Sequence, residues 1–194
     1  RGRLNEDATA EDIAAMGAIV AEAISAGAVG FSTSRTIGHR SLWGEPVPGT
    51  FAADAELLAI ADEMRKVGKG VFEMIPAGTV GRLDALGGER TTQEAEHDLM
   101  RRFSIASGRP VTFTLVQSPD YAPDLWRQIL RMTAEANAAG AQMYPQVASR
   151  PIGFLTGLSA YHAFMRKPTY LNALAHLPLA ERVTAMRNPS VKAA

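Results

Sequence analysis

The feature that most constrains the fold is a pattern that the sequence repeats four times. It consists of an amphipathic helical stretch, a glycine, one or two further residues, and a short β-branched or aromatic run. The glycines that follow the helical stretches are Gly27, Gly68, Gly108 and Gly140. Many helices end in a left-handed residue, a conformation that glycine adopts without a steric penalty. The pattern therefore predicts four helices, each leading into a buried strand.

Local signals place the ends of these elements. Thr9 can cap the first helix with its hydroxyl, and Asp12 follows three positions later as a capping-box variant. The inward stripe of this helix is Ile13, Met16, Val20 and Ile24, and a strand over residues 28–33 follows it. The other predicted units are a helix over 54–67 with a strand over 71–75, a helix from Thr92 with a strand over 111–116, and a helix from Pro123 with a strand over 141–145. We expect Pro145 to end the last strand because proline has no N–H to donate.

The alternation of strands and helices predicts βαβ units, whose connections require a parallel sheet. A TIM barrel and a doubly wound sheet both satisfy this pattern. A complete eight-unit barrel takes roughly 250 residues, so four units in a chain of 194 residues would make about half of one. We therefore predict an α/β fold, a partial (β/α)8 TIM barrel with four units over residues 9–150. Residues 151–194 would form an irregular connection with short helices over 169–175 and 179–186.

Composition excludes several classes of function. The 20 basic and 20 acidic side chains balance to a net charge of zero, so the basic surface of a nucleic-acid-binding protein is not expected. The absence of cysteine excludes disulfides and thiolate ligands, and it is compatible with a cytoplasmic location. No apolar run approaches the roughly 20 residues that a membrane-spanning helix needs. Small-molecule partners fit this composition best.

Polar residues stand where each predicted strand ends, and ligands of parallel α/β sheets collect at the carboxyl ends of the strands. Arginine can bind a substrate carboxylate through two hydrogen bonds. The alternative for the segment with His39 and Arg40 is an ordinary surface loop. The candidate substrate-binding residues are Ser34, Arg35, His39, Arg40, Gln117, Tyr144, Gln146 and Arg150.

Glu73 is the only acidic residue within a predicted strand. A carboxylate that points into a barrel could bind a metal ion or act as a general base. The alternative is a strand-end carboxylate that forms an ion pair with an arginine. Glu73 is therefore the candidate metal ligand of this stretch.

The histidines and serines offer no further catalytic motif. His97 lies in an outer-helix pattern and is predicted to be exposed to solvent. His162 and His176 lack a second histidine at the spacing of zinc sites, which favours structural roles. Ser32 and Ser34 lack the second glycine of a G-x-S-x-G elbow and a partner histidine nearby, so the sequence does not favour a serine hydrolase. No nucleotide-binding motif occurs.

Several segments carry a family resemblance. The run AGAVGFSTSRT at residues 26–36, with His39-Arg40 and the run PVPGTFA at residues 46–52, resembles the N-acyl-D-amino-acid deacylase (D-aminoacylase) group of amidohydrolases. The later runs RPVTFTLVQ at 109–117, YPQVASRP at 144–151 and LPLAER at 177–182 resemble the same group in the same order. The resemblance thus covers nearly the whole chain.

The resemblance implies a TIM-barrel hydrolase with a small accessory β-domain that acts on non-peptide C–N bonds. In that family a divalent metal, usually zinc, activates water against the amide of an N-acyl-D-amino acid. The family's first-strand histidine pair and late-strand aspartate would lie before and after this stretch, together with the remaining barrel and the accessory domain. We therefore expect an internal fragment that is inactive alone, has no assured metal of its own, and associates with itself or with the missing segments.

The sequence departs from the family pattern on its middle strands. Residues 114–117 lack the usual histidine pair, and residues 144–146 hold no histidine. Because carboxylate can replace imidazole as a ligand, the parent protein would hold one metal, use Glu73, or act on another amide or ring substrate. Two alternatives stay open: a non-catalytic binding or scaffold protein on an inactivated barrel, and a self-contained half-barrel or flavodoxin-like module with covered strand edges.

Overall fold

The structure, a computed structural model, describes residues 5–81, 83–117, 122–150, 153, 155–160 and 162–193. The first part of the chain alternates helices and strands, and the last part is helical. The elements in chain order are α1 (Ala10–Ser25), β1 (Gly30–Ser34), α2 (Asp54–Val67), β2 (Val71–Ile75), α3 (Gln93–Ser107), β3 (Val111–Thr114), α4 (Leu125–Ala138), β4 (Met143–Gln146), α5 (Pro168–Ala173), α6 (Leu179–Arg187) and α7 (Pro189–Ala193). Short 3-10 turns cover Asp84–Leu86 and Ala163–Arg166.

The helix ends follow the local sequence signals, except that α4 begins at Leu125, two residues after its predicted start at Pro123. The Thr9 hydroxyl accepts a hydrogen bond from the Asp12 backbone N–H at 3.2 Å, and the Asp12 carboxylate accepts one from the Thr9 N–H at 2.9 Å. This reciprocal pair is the predicted capping box. Gly68 and Gly108 end α2 and α3 in the left-handed conformation, also as predicted.

Three strands differ from their predicted bounds by one or two residues: β1 covers 30–34 instead of 28–33, β3 covers 111–114 instead of 111–116, and β4 covers 143–146 instead of 141–145. Pro145 does not end the fourth strand but lies within β4, in register with Phe113 of β3. In the described sheet β4 is an edge strand. Proline is tolerated there because an edge strand has a side on which no N–H has to pair with a neighbouring strand.

The four strands form one parallel sheet in the order β1-β2-β3-β4. Helices α1 to α4 pack side by side as one layer, each against the next. Their apolar stripes cover the sheet face that carries Phe72, Met74, Phe113 and Met143. Phe72 stacks on Phe103 of α3 with ring centroids 4.0 Å apart. Strands in sequential order beneath a single helix layer are the arrangement of a barrel wall, so the predicted partial (β/α)8 architecture is confirmed.

The tail packs over loops at the carboxyl ends of the strands. Met165, Tyr170 and Leu174 form a second apolar cluster with Ile37 and Leu83, which follow β1 and β2. The short helices that the sequence predicts in the tail are present as α5 and α6. In the ranges that the structure describes, no helix is long and apolar enough to cross a membrane.

The prediction of a solvent-exposed His97 is wrong. Its side chain is 3% exposed, and its Nε2 lies 3.1 Å from the Thr133 Oγ1 of α4. Thr133 donates its own hydroxyl hydrogen to the Ile129 carbonyl at 2.8 Å, so its oxygen accepts a hydrogen bond from His97 Nε2–H. Helix α3 lies between α2 and α4, which buries positions that would face water on an isolated outer helix.

Candidate functional site

The sheet face opposite the helices carries a row of polar side chains. Ser32, Glu73, Thr112 and Tyr144 are aligned across the four strands in register, and we call them the polar row. Because side chains alternate along a strand, Ser34 and Gln146 lie on the same face, nearer the carboxyl ends. This face would line the interior of a closed barrel. The structure thus brings four of the candidates, Glu73, Tyr144, Ser34 and Gln146, onto one surface.

Glu73 stands on β2, one of the two inner strands, and is half-buried. Burial raises the pKa of its carboxyl above the ordinary value. No ion pair joins Glu73 to an arginine within the described part of the chain, in contrast to the alternative that the sequence left open. A carboxyl with a raised pKa is suited to exchange a proton with a bound reactant.

Residues suited to hold a metal ion do not cluster here. Over the ranges that the structure describes, no three histidine, aspartate or glutamate side chains lie close enough together to bind one. The neighbours of Glu73 in the polar row are the hydroxyl-bearing residues Ser32 and Thr112. The described residues therefore do not fit a metal centre by themselves, since Glu73 would offer a single carboxylate.

Ser34 and His39 form a hydrogen-bonded pair at the end of β1. Ser34 Oγ lies 2.8 Å from His39 Nδ1. A turn after the strand brings the two together, closed by a 3.3 Å hydrogen bond from the His39 N–H to the Thr36 carbonyl. The prediction that no histidine lies near these serines is therefore wrong for Ser34, because motif spacing does not reveal the path of the turn.

Glu89 holds this turn in place, and sequence reasoning missed it. Its carboxylate accepts hydrogen bonds from the Thr36 hydroxyl at 2.6 Å and from the Ile37 N–H at 3.1 Å. Glu89 comes from the loop after β2, far from the turn in the chain. No local pattern marks such a contact.

Arg35 and Arg40 are engaged inside the protein. Arg35 Nε donates to both carboxylate oxygens of Glu96, at 3.0 and 2.8 Å, and its Nη1 donates to the Ala52 carbonyl. Arg40 donates to the three carbonyls of Ile37, Gly44 and Leu86 at 2.8 to 2.9 Å. Burial lowers the pKa of Arg40 from its ordinary high value. Both guanidinium groups tie loops together, and their binding of substrate stays a prediction.

The remaining candidates lie on exposed positions. Tyr144 and Gln146 are on β4, Gln117 follows β3, and Arg150 lies beyond β4. All four are accessible to a ligand on the polar face or at its rim. Their role in binding also stays a prediction.

A cavity of about 460 Å³ opens beside His39. The loops after β1 and β2 form two of its walls, with Val47 and Val80, and the tail forms another, with Leu155 and Ala160. A larger cavity of about 870 Å³ lies between the loop after β2 and the first turns of α3 and α4. Of these two cavities, the smaller is lined by two of the predicted substrate-binding residues, His39 and Arg40.

The fold is similar to that of known amidohydrolases. No family model matches this sequence, and no curated protein matches it. Three solved D-aminoacylase chains match the structure with a TM-score of 0.51 and 18% sequence identity, covering 74% of this chain and 26% of theirs. One of these structures addresses the functional role of the binuclear metal centre in D-aminoacylase, in which one metal activates and the second attenuates. Another is a variant in complex with copper chloride, and the third defines a novel subset of amidohydrolases.

This chain spans about a quarter of the length of those D-aminoacylases. At this level of identity the match shows a shared fold. It agrees with the predicted fold class and with the resemblance found in the sequence.

Proposed function

We propose that this chain forms part of the barrel of a metal-dependent amidohydrolase. The whole protein would cleave the amide bond of an N-acyl-D-amino acid or a related amide by attack of water. One observation carries the proposal: the polar row lies on the inward face of a barrel wall whose fold is similar to that of D-aminoacylase. The metal would be divalent, with zinc as the first choice from the family resemblance. A cytoplasmic location would be compatible with the absence of cysteine.

Within this chain, Glu73 would exchange a proton with the reactants, since it stands on the inward face of the sheet and burial raises the pKa of its carboxyl. Thr112 on β3 and Tyr144 on β4 continue the polar row from Glu73, and their hydroxyls would hydrogen-bond the polar atoms of the substrate. Because the described residues do not form a metal centre, the ligands would come from other parts of the whole protein.

The test is an assay of the whole protein on a series of N-acetyl-D-amino acids and their L-enantiomers, with the bound metal quantified. We expect release of the D-amino acid that depends on a divalent metal. Replacing Glu73 by Gln should lower kcat/KM by about 100-fold or more. Glu135→Gln, on the exposed surface of α4, is the matched control and should leave the rate unchanged.

A second candidate is a non-catalytic binding or scaffold protein on the same fold. The lack of histidines at residues 114–117 and 144–146, where the family pattern has a pair on a middle strand, favours it. A whole protein that contains stoichiometric metal but hydrolyses none of these amides would contradict the amidohydrolase proposal. Saturable binding of the same amides without turnover would then support the binding protein.

A further inference from the structure

The hydrogen-bonded pair of Ser34 and His39 has the geometry of a nucleophile with its general base. We propose that Ser34 accepts an acyl group from an activated ester, with His39 taking up the hydroxyl proton. This reaction differs from the amide hydrolysis proposed above and needs no metal. It therefore goes beyond the proposed function and does not depend on it.

The distance and the accessibility of the pair support this reaction. The 2.8 Å separation of Ser34 Oγ and His39 Nδ1 lies within the range of activated nucleophiles. The hydroxyl has no other hydrogen-bond partner among residues 5–81, 83–117 and the later described segments. His39 is exposed and Ser34 is only half-buried, so an ester in solution can reach both atoms.

The surroundings hold His39 in position. Thr36, at the start of the turn, is fully buried and donates to Glu89, while its own Oγ1 accepts a hydrogen bond from the Gly38 N–H at 3.2 Å. A Cβ on Gly38 would lie only 3.1 to 3.3 Å from side chains that include Leu83 and Val80. The turn is thus pressed against the loop after β2 and bonded to it. Such positioning reduces the entropy lost when the pair reacts.

His39 lines a cavity that Ser34 does not line, so the cavity would contact an acyl group only beside the imidazole. Val47, Val80, Leu155 and Ala160 give it apolar walls. Arg40 also lines it, but three backbone carbonyls already occupy the Arg40 guanidinium. The cavity of about 460 Å³ therefore suits a short uncharged acyl group better than a carboxylate.

In the proposed step, Ser34 Oγ forms a bond to the acyl carbon, and the bond from that carbon to the alcohol or phenol oxygen of the ester breaks. The hydroxyl proton passes to His39 Nδ1 and then to the departing oxygen or to solvent. No carboxylate orients His39 among the described residues. A triad with a defective orienting acid loses about 10⁴-fold in kcat. We therefore expect both the acylation of Ser34 and the hydrolysis of the acyl-serine to be slow, so that an activated ester labels Ser34 without rapid turnover.

The experiment treats the whole protein with p-nitrophenyl acetate in the presence of a metal chelator, and follows the intact mass and the modified peptide. We expect one acetyl group per chain, located on Ser34. Ser34→Ala should abolish this label. Ser159→Ala, an exposed serine in the tail near the same cavity, should retain it. His39→Gln keeps a hydrogen-bonding side chain but removes the base, and should slow acetylation about 100-fold.

Thermal melts of each variant show whether it folds. Acetylation that persists in folded Ser34→Ala, or that proceeds at the wild-type rate in folded His39→Gln, would overturn the proposal, as would the absence of any label on the wild type. The acetylation experiment contains no amide substrate and no free metal. A negative result would therefore not contradict the amidohydrolase proposal. Failure of the amide assay likewise leaves this one standing.

Discussion

Arg35 and Glu96 form an ion pair withdrawn from water, with side-chain exposures of 9% and 1%. The pair joins the residue after β1 to the first turns of α3, and Glu96 lies 3.4 Å from the Ala77 N–H. Both charged groups are removed from water, and Glu96 accepts both of the hydrogen bonds that Arg35 Nε donates. Removal of one partner from such a pair costs more than the intact pair contributes.

We predict that Glu96→Leu lowers the free energy of unfolding by about 3 to 5 kcal/mol, because the buried Arg35 loses the carboxylate to which it donates its hydrogen bonds. The double variant Arg35→Met/Glu96→Leu should recover most of that loss. Urea denaturation monitored by circular dichroism measures both, and Glu135→Leu on the exposed surface serves as the control. A single-variant loss as small as that of a surface ion pair, under about 1 kcal/mol, would contradict the prediction.

His97 makes the stability depend on pH. Burial lowers its pKa below the ordinary value near 6.5, with Asp98 opposing this shift and Arg101 adding to it. The folded state therefore favours the neutral ring. The contribution of the neutral His97 ring to the free energy of unfolding is fully present above the pKa of the unfolded state. It is lost as the pH falls through that value toward the lower pKa of the folded state.

We predict that wild-type stability declines between about pH 7 and pH 5, and that His97→Gln declines less over that window. Burial also lowers the pKa of His162, so part of the pH dependence of stability will remain in this variant. The exposed His176→Gln should behave as wild type. Thermal melts across this pH range test the prediction, and equal pH dependence of His97→Gln and wild type would refute it.

At the scale of single residues, contacts between distant parts of the chain limited what could be predicted. The sequence indicated only that Glu73 and Tyr144 each stand on a predicted strand, and they share one surface because of the register of the sheet. His97 was misplaced because its burial depends on α4, which follows later in the chain. No sequence pattern pointed to Glu89, because its hydrogen bonds with Thr36 and Ile37 form only when the loops after β1 and β2 meet.

At the scale of elements, the ends of the helices were predictable because caps depend on neighbouring residues. Thr9 and Asp12 mark the start of α1, and Gly68 and Gly108 mark the ends of α2 and α3. The ends of strands were less predictable, as Pro145 in β4 illustrates. A strand continues as long as its neighbour offers hydrogen bonds, and the neighbour of β4 is known only once the sheet order is known.

Gly68 allows a direct test of helix termination. It has a φ of +72°, and a Cβ there would meet no atom within 4 Å, so only backbone strain opposes a side chain. Gly68→Ala should therefore lower the free energy of unfolding by about 1 to 2 kcal/mol. Gly157→Ala is the matched control, because that glycine also has open space around it but lacks a positive φ. Equal stability losses in the two variants, measured by urea denaturation, would contradict this account.

At the scale of the whole molecule, the sequence predicted a parallel barrel wall, and the structure has one. The sequence did not show which candidate residues stay open to a ligand and which are already bonded inside the protein. Ser34 and Glu73 reach the polar face by strand alternation, whereas Arg35 and Arg40 are occupied by Glu96 and by loop carbonyls. Which polar groups stay available depends on how the loops and the tail fold over the strand ends.

The two edges of the sheet lead to the final prediction. Strands β1 and β4 each lack a partner on one side within the described residues. Val29, directly before β1, is 84% exposed, and Val147, directly after β4, is 68% exposed. Unpaired strand edges beside exposed apolar side chains favour association with another strand. We therefore expect this 194-residue chain, produced alone, to self-associate through these edges.

Sedimentation velocity over a range of concentrations should show a weight-average sedimentation coefficient that rises with concentration. Val147→Lys places a charge at the β4 edge, and it should shift this rise to higher concentration because pairing would have to bury or crowd the ammonium group. Ile105→Lys on the outer surface of α3, where the native side chain is 50% exposed, should leave the association unchanged. A wild-type chain that sediments as a monomer at every concentration would show that the edges are protected without a partner. If both lysine variants weakened association equally, the contact would have to involve the helix layer as well as the sheet edges.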